Sequence, residues 1–314
     1  MDLTRRDFVK AAAATAATVA AASTVAQTAN PTVSPLPGSM PVRPFGKTGW
    51  RASIYGLGTA EVSGGDDTVR AIRAAVAGGV NYIDTAPSYV GTRSETAVGR
   101  ALEGGLRERV FLATKTLRRD ADGAYQEVRE SLNRLKTNRI DLLQIHSVND
   151  MGTLDQALRK GGAVEGLERA RREGLIRWIG ISGHTRPDVI GAAIDRYPFD
   201  SILVAVSAVD THINDFAAEV VPAARKKGIA VVGMKALKGM ERAQGAKMEV
   251  EPLLRYAWSL PVETVIVGLR HESEIRPNLV AARTFRPMPP AEMRALEARL
   301  KPFADVGHLW WKRG

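Results

Sequence analysis

The chain contains no cysteine among its 314 residues. This absence excludes disulfide bridges, thiolate zinc sites, iron–sulfur clusters and thiol nucleophiles. Any chemistry must therefore come from other side chains or from a bound cofactor. The composition of 45% hydrophobic and 25% charged residues is typical of a globular protein and excludes disordered and collagen-like classes. A chain of this length forms one large domain or two ordinary ones.

Long runs of a single charge are also missing. The 44 lysines and arginines give a formal net charge of +10, but they are interleaved with 34 acidic residues and never form a basic arm or tail. This pattern argues against nucleic acid as a partner. A basic rim around a site for a phosphorylated ligand accounts for the same charge, because a cleft of one sign concentrates anions.

The N-terminus has the features of an export segment. Thr4 to Lys10 read T-R-R-D-F-V-K, and residues 11–26 form an uncharged run rich in Ala and Thr. This segment resembles a twin-arginine (Tat) signal that ends near Ala26. The resemblance implies the Tat export machinery as a partner and a periplasmic or otherwise exported location. The run is weakly apolar for a span of ~20 residues, so we expect no stable membrane span after cleavage. An Ala-rich anchoring helix remains the alternative.

Short apolar runs alternate with segments of helical period over the rest of the chain. No G-x-G-x-x-G motif follows any of these runs, which argues against a Rossmann domain. Eight strand and helix units favour a single-domain α/β fold, a (β/α)8 TIM barrel. Two helices are predicted to be continuous over Leu154 to Glu173 and Asn214 to Lys227. The candidate strands are Ile54 to Gly58, Asn81 to Asp84, Val110 to Lys115, Ile140 to His146, Trp178 to Ser182, Ser201 to Val206, Ala230 to Met234 and Thr264 to Val267.

The flanking segments complete the predicted organisation. We expect a signal peptide over residues 1–26, a flexible proline-rich lead-in over residues 27–41 and the folded barrel over residues 42–314. Arg43 to Arg51 contain two glycines and predict a hairpin that closes the barrel floor. The C-terminal tail, which ends with the pair Trp310 and Trp311, is expected to lie over the barrel mouth.

Polar residues stand where three of the candidate strands end. Asp84, Lys115 and His146 end the second, third and fourth strands, and Tyr89 lies five residues after Asp84. Active sites of TIM barrels lie at the carboxyl ends of the strands, and adjacent strands are ~4.8 Å apart. Taken singly, the Asp fits a helix cap and the His a buried core residue. Together they suit the reduction of a carbonyl group, in which a general acid protonates the developing alkoxide.

Each of the four residues has a predicted role in that chemistry. Tyr89 is the general acid, and Lys115 lowers the pKa of its phenol, which is ordinarily ~10. Asp84 holds the ammonium of Lys115 in place. His146 donates a hydrogen bond that orients the carbonyl group.

At these residues the sequence resembles the aldo-keto reductase family. Arg43 to Gly49 are similar to the opening hairpin of the family, Leu142 to His146 to its histidine strand, and Gly180 to Ser182 to its nicotinamide strand. The resemblance spans about residues 42 to 290 and implies that Asp84, Tyr89, Lys115 and His146 form the catalytic tetrad. The signature itself is carried by Asp84-Thr85-Ala86-Pro87-Ser88-Tyr89, Gly91, Ser94-Glu95, Val98-Gly99 and Ala101-Leu102.

The resemblance also implies a nicotinamide cofactor, usually NADPH with NADH possible, that lies across the barrel mouth. Three positions depart from the family pattern, because Gly183 replaces an Asn, and Leu203 and Val206 replace a Gln and a stacking Tyr. Their loss should weaken nicotinamide binding by about 1 to 3 kcal/mol. The cofactor-binding residues that the resemblance implies are Gly58, Thr59, Ser182, Lys235, Lys238, Gly268, Arg270 and Asn278.

Two further residues bear on the choice of cofactor. Glu274 and Pro277 occupy positions where the family often has a residue for the adenosine phosphate and a Glu for the adenine. A carboxylate at residue 274 would repel a 2′-phosphate and could bond a ribose hydroxyl instead. NADPH remains the expected cofactor at this point, and NADH remains open.

The predicted function is therefore a reductase that converts a small aldehyde or ketone to an alcohol. Tyr55, Trp310 and Trp311 are the candidate substrate-binding residues, and no metal site is predicted. Two alternatives remain open. One is a cofactor-binding regulatory protein with very slow turnover, as in the potassium-channel β-subunits of the family, and the other is an isomerase on the same barrel.

Overall fold

The computed structural model describes residues 36–237, 249–307 and 309–312. The predicted signal peptide, residues 27–35 of the lead-in and Lys238 lie outside the described residues. The described chain opens with an antiparallel hairpin of β1 (Val42–Pro44) and β2 (Arg51–Ser53). Its turn buries Phe45, whose ring centroid lies 5.4 Å from that of Tyr82 and 5.0 Å from that of Phe111. These two residues begin barrel strands, so the hairpin closes the amino-terminal end of the barrel as predicted.

Parallel strands close into a barrel in the order β10-β3-β4-β5-β6-β7-β8-β9. Each pairs with its neighbours in register, which places Gly58 opposite Asp84 and Lys115 opposite Gln144. The prediction of an eight-stranded TIM barrel is confirmed. The strands are β3 (Tyr55–Gly58), β4 (Tyr82–Asp84), β5 (Phe111–Thr116), β6 (Ile140–Ile145), β7 (Ile176–Gly183), β8 (Ser201–Ala205), β9 (Ala230–Met234) and β10 (Thr264–Gly268).

Helices cover the outside of the barrel, and short 3₁₀ turns lie at Arg107–Arg109, Asp210–His212, Glu272–Glu274, Lys301–Phe303 and Trp310–Lys312. No helix among the described residues is long and apolar enough to span a membrane. The α-helices are α1 (Asp66–Ala77), α2 (Arg93–Leu102), α3 (Ala121–Leu135), α4 (Met151–Leu158), α5 (Ala163–Arg172), α6 (Pro187–Arg196), α7 (Phe216–Glu219), α8 (Val221–Lys226), α9 (Val250–Ser259), α10 (Ile275–Arg283) and α11 (Pro290–Leu300).

Two helices predicted to be continuous are each divided in two. The segment predicted as one helix from Leu154 to Glu173 breaks between α4 and α5, where Gly161 has a φ of +73° that favours glycine. The segment from Asn214 to Lys227 breaks between α7 and α8, where Pro222 cannot donate a backbone hydrogen bond to the preceding turn. Both breaks leave the barrel topology unchanged.

The signature residues after Tyr89 fix helix α2 against the barrel. Glu95 is fully buried, and it accepts hydrogen bonds from Thr114 at 2.6 Å and Arg134 at 2.5 Å. A Cβ atom at Gly99 would lie 2.6 Å from the carbonyl oxygen of Arg134, so only glycine allows α2 and α3 to approach this closely. These contacts hold the loop that carries Tyr89 at the end of β4.

The C-terminal tail is anchored beside the carboxyl ends of the strands. The ammonium of Lys312 is buried, donates to the carbonyl oxygen of Asn214 at 2.9 Å and lies 3.1 Å from a carboxylate oxygen of Asp210. The ring of Trp311 is buried, with its centroid 5.7 Å from the ammonium of Lys235. The tail is therefore held next to the loops that follow β8 and β9.

Candidate active site

A cavity of about 430 Å³ lies at the carboxyl ends of the strands. One end is lined by Asp84, Tyr89 and His184, and the other by residues of the loop that follows β10. Most of the residues predicted from the sequence meet in this one space. The predicted site residues that line it are Gly58, Thr59, Asp84, Tyr89, Lys235, Gly268, Arg270 and Asn278.

A buried ion pair lies at the inner end of the cavity. The ammonium of Lys115 forms a salt bridge with the carboxylate of Asp84 and donates to the carbonyl oxygen of Thr85 at 2.8 Å. The second carboxylate oxygen of Asp84 accepts a hydrogen bond from the amide of Gln144 at 2.9 Å. Burial alone would lower the pKa of Lys115, but its interactions with Asp84 and Tyr89 outweigh burial and raise that pKa above its usual value. Lys115 is therefore a charged ammonium.

Tyr89 lies above this ion pair. The centroid of its ring is 4.7 Å from the ammonium of Lys115 and 5.8 Å from the centroid of the His146 ring, which it meets edge to face. Burial raises the pKa of Tyr89 above the ordinary value, and this effect exceeds the opposing effect of Lys115. Lys115 therefore lowers the pKa of Tyr89 as predicted, but burial outweighs this effect and the net shift is upward. Tyr89 keeps its proton near neutral pH, as a proton donor must.

His146 follows β6 directly and packs beside Tyr89. The guanidinium of Arg119 donates a hydrogen bond to the backbone carbonyl oxygen of His146 and so fixes this residue at the end of the strand. The Nδ1 atom of His146 is buried without a hydrogen-bond partner among the described residues. Burial, reinforced by the charge of Lys115, lowers the pKa of His146 well below its usual value. Its imidazole is therefore neutral and able to donate one N–H group.

Two residues of the site were not predicted from the sequence. His184 lines the cavity one residue after β7, and burial together with the charge of Lys235 lowers its pKa to about 3. Gln144 belongs to the predicted histidine strand, and its side-chain amide donates a hydrogen bond to Asp84 at 2.9 Å. A signal for Gln144 is present in the sequence, because a polar residue two positions before His146 shares its side of a β-strand.

Three residues beside the site have backbone angles that L-amino acids rarely adopt. The φ angles are +51° at Val90, +55° at Ser147 and +67° at Lys235. Val90 follows Tyr89 and Ser147 follows His146, while Lys235 itself lines the cavity. Such strain clusters at functional sites, where the surrounding structure imposes it.

Several predicted residues lie elsewhere. Tyr55 is fully buried at the start of β3, in the layer between barrel and helices, which corrects the expectation that it lines a substrate pocket. Ser182 is also buried outside the cavity lining, and its hydroxyl accepts a hydrogen bond from the backbone amide of Ser147 at 3.0 Å. Leu203 lines the cavity, whereas Val206 does not. The side chain of Trp310 and all of Lys238 lie outside the described residues.

Comparison with known proteins places this chain in a family. The model of the aldo/keto reductase family matches residues 55–252. L-Galactose dehydrogenase of Arabidopsis thaliana is 27% identical to the chain, over 87% of this chain and 97% of the relative. The oxidoreductase YqkF of Bacillus subtilis is 30% identical, over 71% of this chain and 84% of the relative.

Solved structures agree on the fold. An aldo-keto reductase of Klebsiella pneumoniae, solved in complex with NADPH, superimposes with a TM-score of 0.67 at 21% identity, over 83% of this chain and 95% of that chain. The holo form of an aldo-keto reductase of Bacillus halodurans gives a TM-score of 0.69 at 24% identity, over 83% of this chain and 96% of that chain. The match to the family model and the likeness to these relatives show that the chain belongs to the aldo/keto reductase family of nicotinamide-dependent oxidoreductases.

Proposed function

We propose that the protein reduces an aldehyde or ketone to an alcohol, with Tyr89 as the proton donor. The observation that carries this proposal is the buried ammonium of Lys115, held by Asp84 directly beneath the ring of Tyr89. A cation in this position stabilises the phenolate that forms when Tyr89 gives up its proton.

Each polar residue of the site has a separate role in the reduction of the carbonyl group. As a carbonyl carbon accepts hydride, its oxygen becomes an alkoxide, which is more basic than a phenolate and takes the proton of Tyr89. Asp84 is buried, and together with Gln144 it keeps Lys115 in position. The neutral imidazole of His146 donates a hydrogen bond to the carbonyl oxygen and orients it toward Tyr89. Lys115 retains its own proton throughout, because its pKa is raised.

The lining of the cavity suits a nicotinamide dinucleotide, which supplies the hydride when bound. Lys235 is a cationic side chain of the lining and would hold the phosphates that join the two halves of the dinucleotide. Leu203 and Met234 give the cavity an apolar wall, suited to the nicotinamide ring. A Cβ atom at Gly58 would lie 2.4 Å from a side-chain atom of Ile266, so glycine allows β3 and β10 to pack closely at this part of the cavity wall.

A binding and turnover experiment on the full chain tests the proposal. NADH and NADPH are titrated in parallel by the quenching of tryptophan emission, and the oxidation of each is then followed with a panel of aliphatic and aromatic aldehydes and ketones. We expect binding at micromolar concentrations and turnover with at least one carbonyl compound. Lys115→Met should lower turnover by a factor of ~10² to 10⁴, while Lys160→Met, on an exposed loop, should leave it unchanged.

Two other results would contradict the reductase proposal. Tight binding without turnover on any carbonyl compound would indicate a regulatory cofactor-binding protein. Absence of binding to either dinucleotide would show that the substitutions at Gly183, Leu203 and Val206 have removed the cofactor, and would favour isomerase chemistry on another ligand.

We further propose that residues 1–26 direct export through the twin-arginine route to the periplasm or beyond. The support is Arg5 and Arg6, followed by an uncharged run of small residues. A reductase exported by this route would carry its cofactor in the folded state.

A further inference from the structure

The end of the cavity away from Tyr89 contains two carboxylates. Glu61 follows β3, and Glu274 ends the 3₁₀ turn Glu272–Glu274 that follows β10. Both side chains line the cavity, together with Arg270, Ser273 and Asn278. A dinucleotide with its nicotinamide near Tyr89 would place its adenosine at this end.

The carboxylate of Glu274 accepts hydrogen bonds from backbone amides at this end of the cavity. One of its carboxylate oxygens accepts hydrogen bonds from the amide of Arg270 at 2.8 Å and from the amide of His271 at 3.4 Å. Consecutive backbone amides of this kind bind phosphate groups in many proteins. Here a carboxylate of the chain itself takes them, so they are not available to an external anion unless Glu274 moves.

Arg270, the cationic side chain of the lining at this end of the cavity, is already paired with a carboxylate. The guanidinium of Arg270 forms a salt bridge of 2.6 Å with the carboxylate of Glu61. Arg70 is close in space but is paired with Glu272 at 3.3 Å, and neither of these two side chains lines the cavity. The described lining at this end therefore carries two carboxylates against one guanidinium, a charge that disfavours a dianionic phosphate.

We propose that Glu274 makes this site select NADH over NADPH. The inference rests on the proposed function, since it concerns the cofactor of the same cavity. NADPH differs from NADH by a 2′-phosphate on the adenosine ribose, where NADH has a hydroxyl that donates a hydrogen bond. A carboxylate accepts such a bond and repels the phosphate. The inference reverses the expectation of NADPH drawn from the family resemblance.

Competing titrations of the full chain test the proposal without relying on turnover. Kd values are measured for NADH and NADPH, and also for ADP-ribose and its 2′-phosphate, which lack the nicotinamide. The variant Glu274→Gln removes the charge, but its amide oxygen can still accept from the backbone amides of Arg270 and His271. Glu272→Gln is the matched control, because it removes the same charge two residues away and outside the cavity lining. Circular dichroism verifies that both variants fold.

The wild-type protein should bind NADH roughly tenfold more tightly than NADPH, because one misplaced charge at short range has an effect of this order. Glu274→Gln should reduce this ratio to about one or below and shift the ADP-ribose pair equally, whereas Glu272→Gln should change it by less than about twofold at moderate salt.

The contrary results separate the two proposals. Wild-type protein that binds NADPH as tightly as NADH, or more tightly, would overturn the preference and leave the reductase proposal intact. An unchanged ratio in Glu274→Gln, or an equal change in Glu272→Gln, would overturn the role of Glu274. If neither dinucleotide binds, the proposed function itself is wrong.

Discussion

Replacing Lys115 by Met would remove the charge on which the proposed chemistry depends. The side chains of Lys115 and Asp84 are only 1% and 4% exposed, so the substitution leaves a carboxylate buried without its cation. Breaking a buried ion pair in this way costs about 3 to 5 kcal/mol of unfolding free energy. Asp84 keeps the hydrogen bond from Gln144 at 2.9 Å, so we expect the lower end of that range, about 3 kcal/mol.

The double variant Asp84→Asn with Lys115→Met separates structure from chemistry. It buries no uncompensated charge, so it should recover about 2 kcal/mol relative to the sum of the two single variants. Both variants that lack the ammonium should lose a factor of ~10² to 10⁴ in turnover. The double variant should therefore regain stability without regaining turnover. A purely structural role of Lys115 does not predict this difference.

The loss of unfolding free energy in Lys115→Met should also depend on pH. Burial already raises the pKa of Asp84, and removing Lys115 raises it further. A raised pKa in the folded state means that the native protein binds more protons than the unfolded chain. The destabilisation should therefore be small below the unfolded pKa of ~3.9 and grow as the pH rises through the folded value. Urea unfolding of Lys115→Met and the wild-type protein between pH 4 and 8 measures this destabilisation. A destabilisation that does not change with pH would refute the buried charge of Asp84, and full turnover in Lys115→Met would refute the role of its ammonium.

Three further predictions concern other residues. Gln144→Leu should lower turnover about tenfold and stability by about 1 to 3 kcal/mol, because Asp84 loses a buried donor, while the Kd for cofactor stays unchanged; an unaltered rate would remove Gln144 from the positioning network. The pKa of His184 is lowered to about 3 in the folded state, so the wild-type protein should lose stability as the pH falls below ~6.5, and His184→Gln should reduce that slope by about 1.4 kcal/mol per pH unit. Changing Arg5 and Arg6 together to Lys should leave the protein in the cytoplasm in cell fractionation, and unchanged export would exclude the twin-arginine route.

The fold was predictable from the sequence because its signals are local. Each barrel strand is a short apolar run, and glycines such as Gly78-Gly79 end the helices between them. The positions of Asp84, Lys115 and His146 followed from one general property of the barrel, that its strands end at the same face. Even the break at Gly161-Gly162 is visible as a glycine pair inside the predicted helix.

Other features depend on which way a side chain points, and here the predictions from the sequence were wrong. Tyr55 precedes the cavity residue Gly58 by three positions, so it lies on the opposite side of the strand, with Leu57 and the helices. The pKa of Tyr89 depends on how deeply the phenol is buried, which no spacing in the sequence records. The hydrogen bonds from Gln144 to Asp84 and from the Arg270 amide to Glu274 likewise exist only in the folded chain.

Tyr89→Phe tests the central claim most directly, because it removes one oxygen atom and leaves the ring against Lys115 and His146. Turnover with a carbonyl substrate and the Kd for cofactor are measured on the same preparation. The proposed role of Tyr89 predicts that turnover falls by ~10² to 10⁴ while the Kd stays within about twofold. Unchanged turnover in Tyr89→Phe would contradict the assignment of Tyr89 as the proton donor.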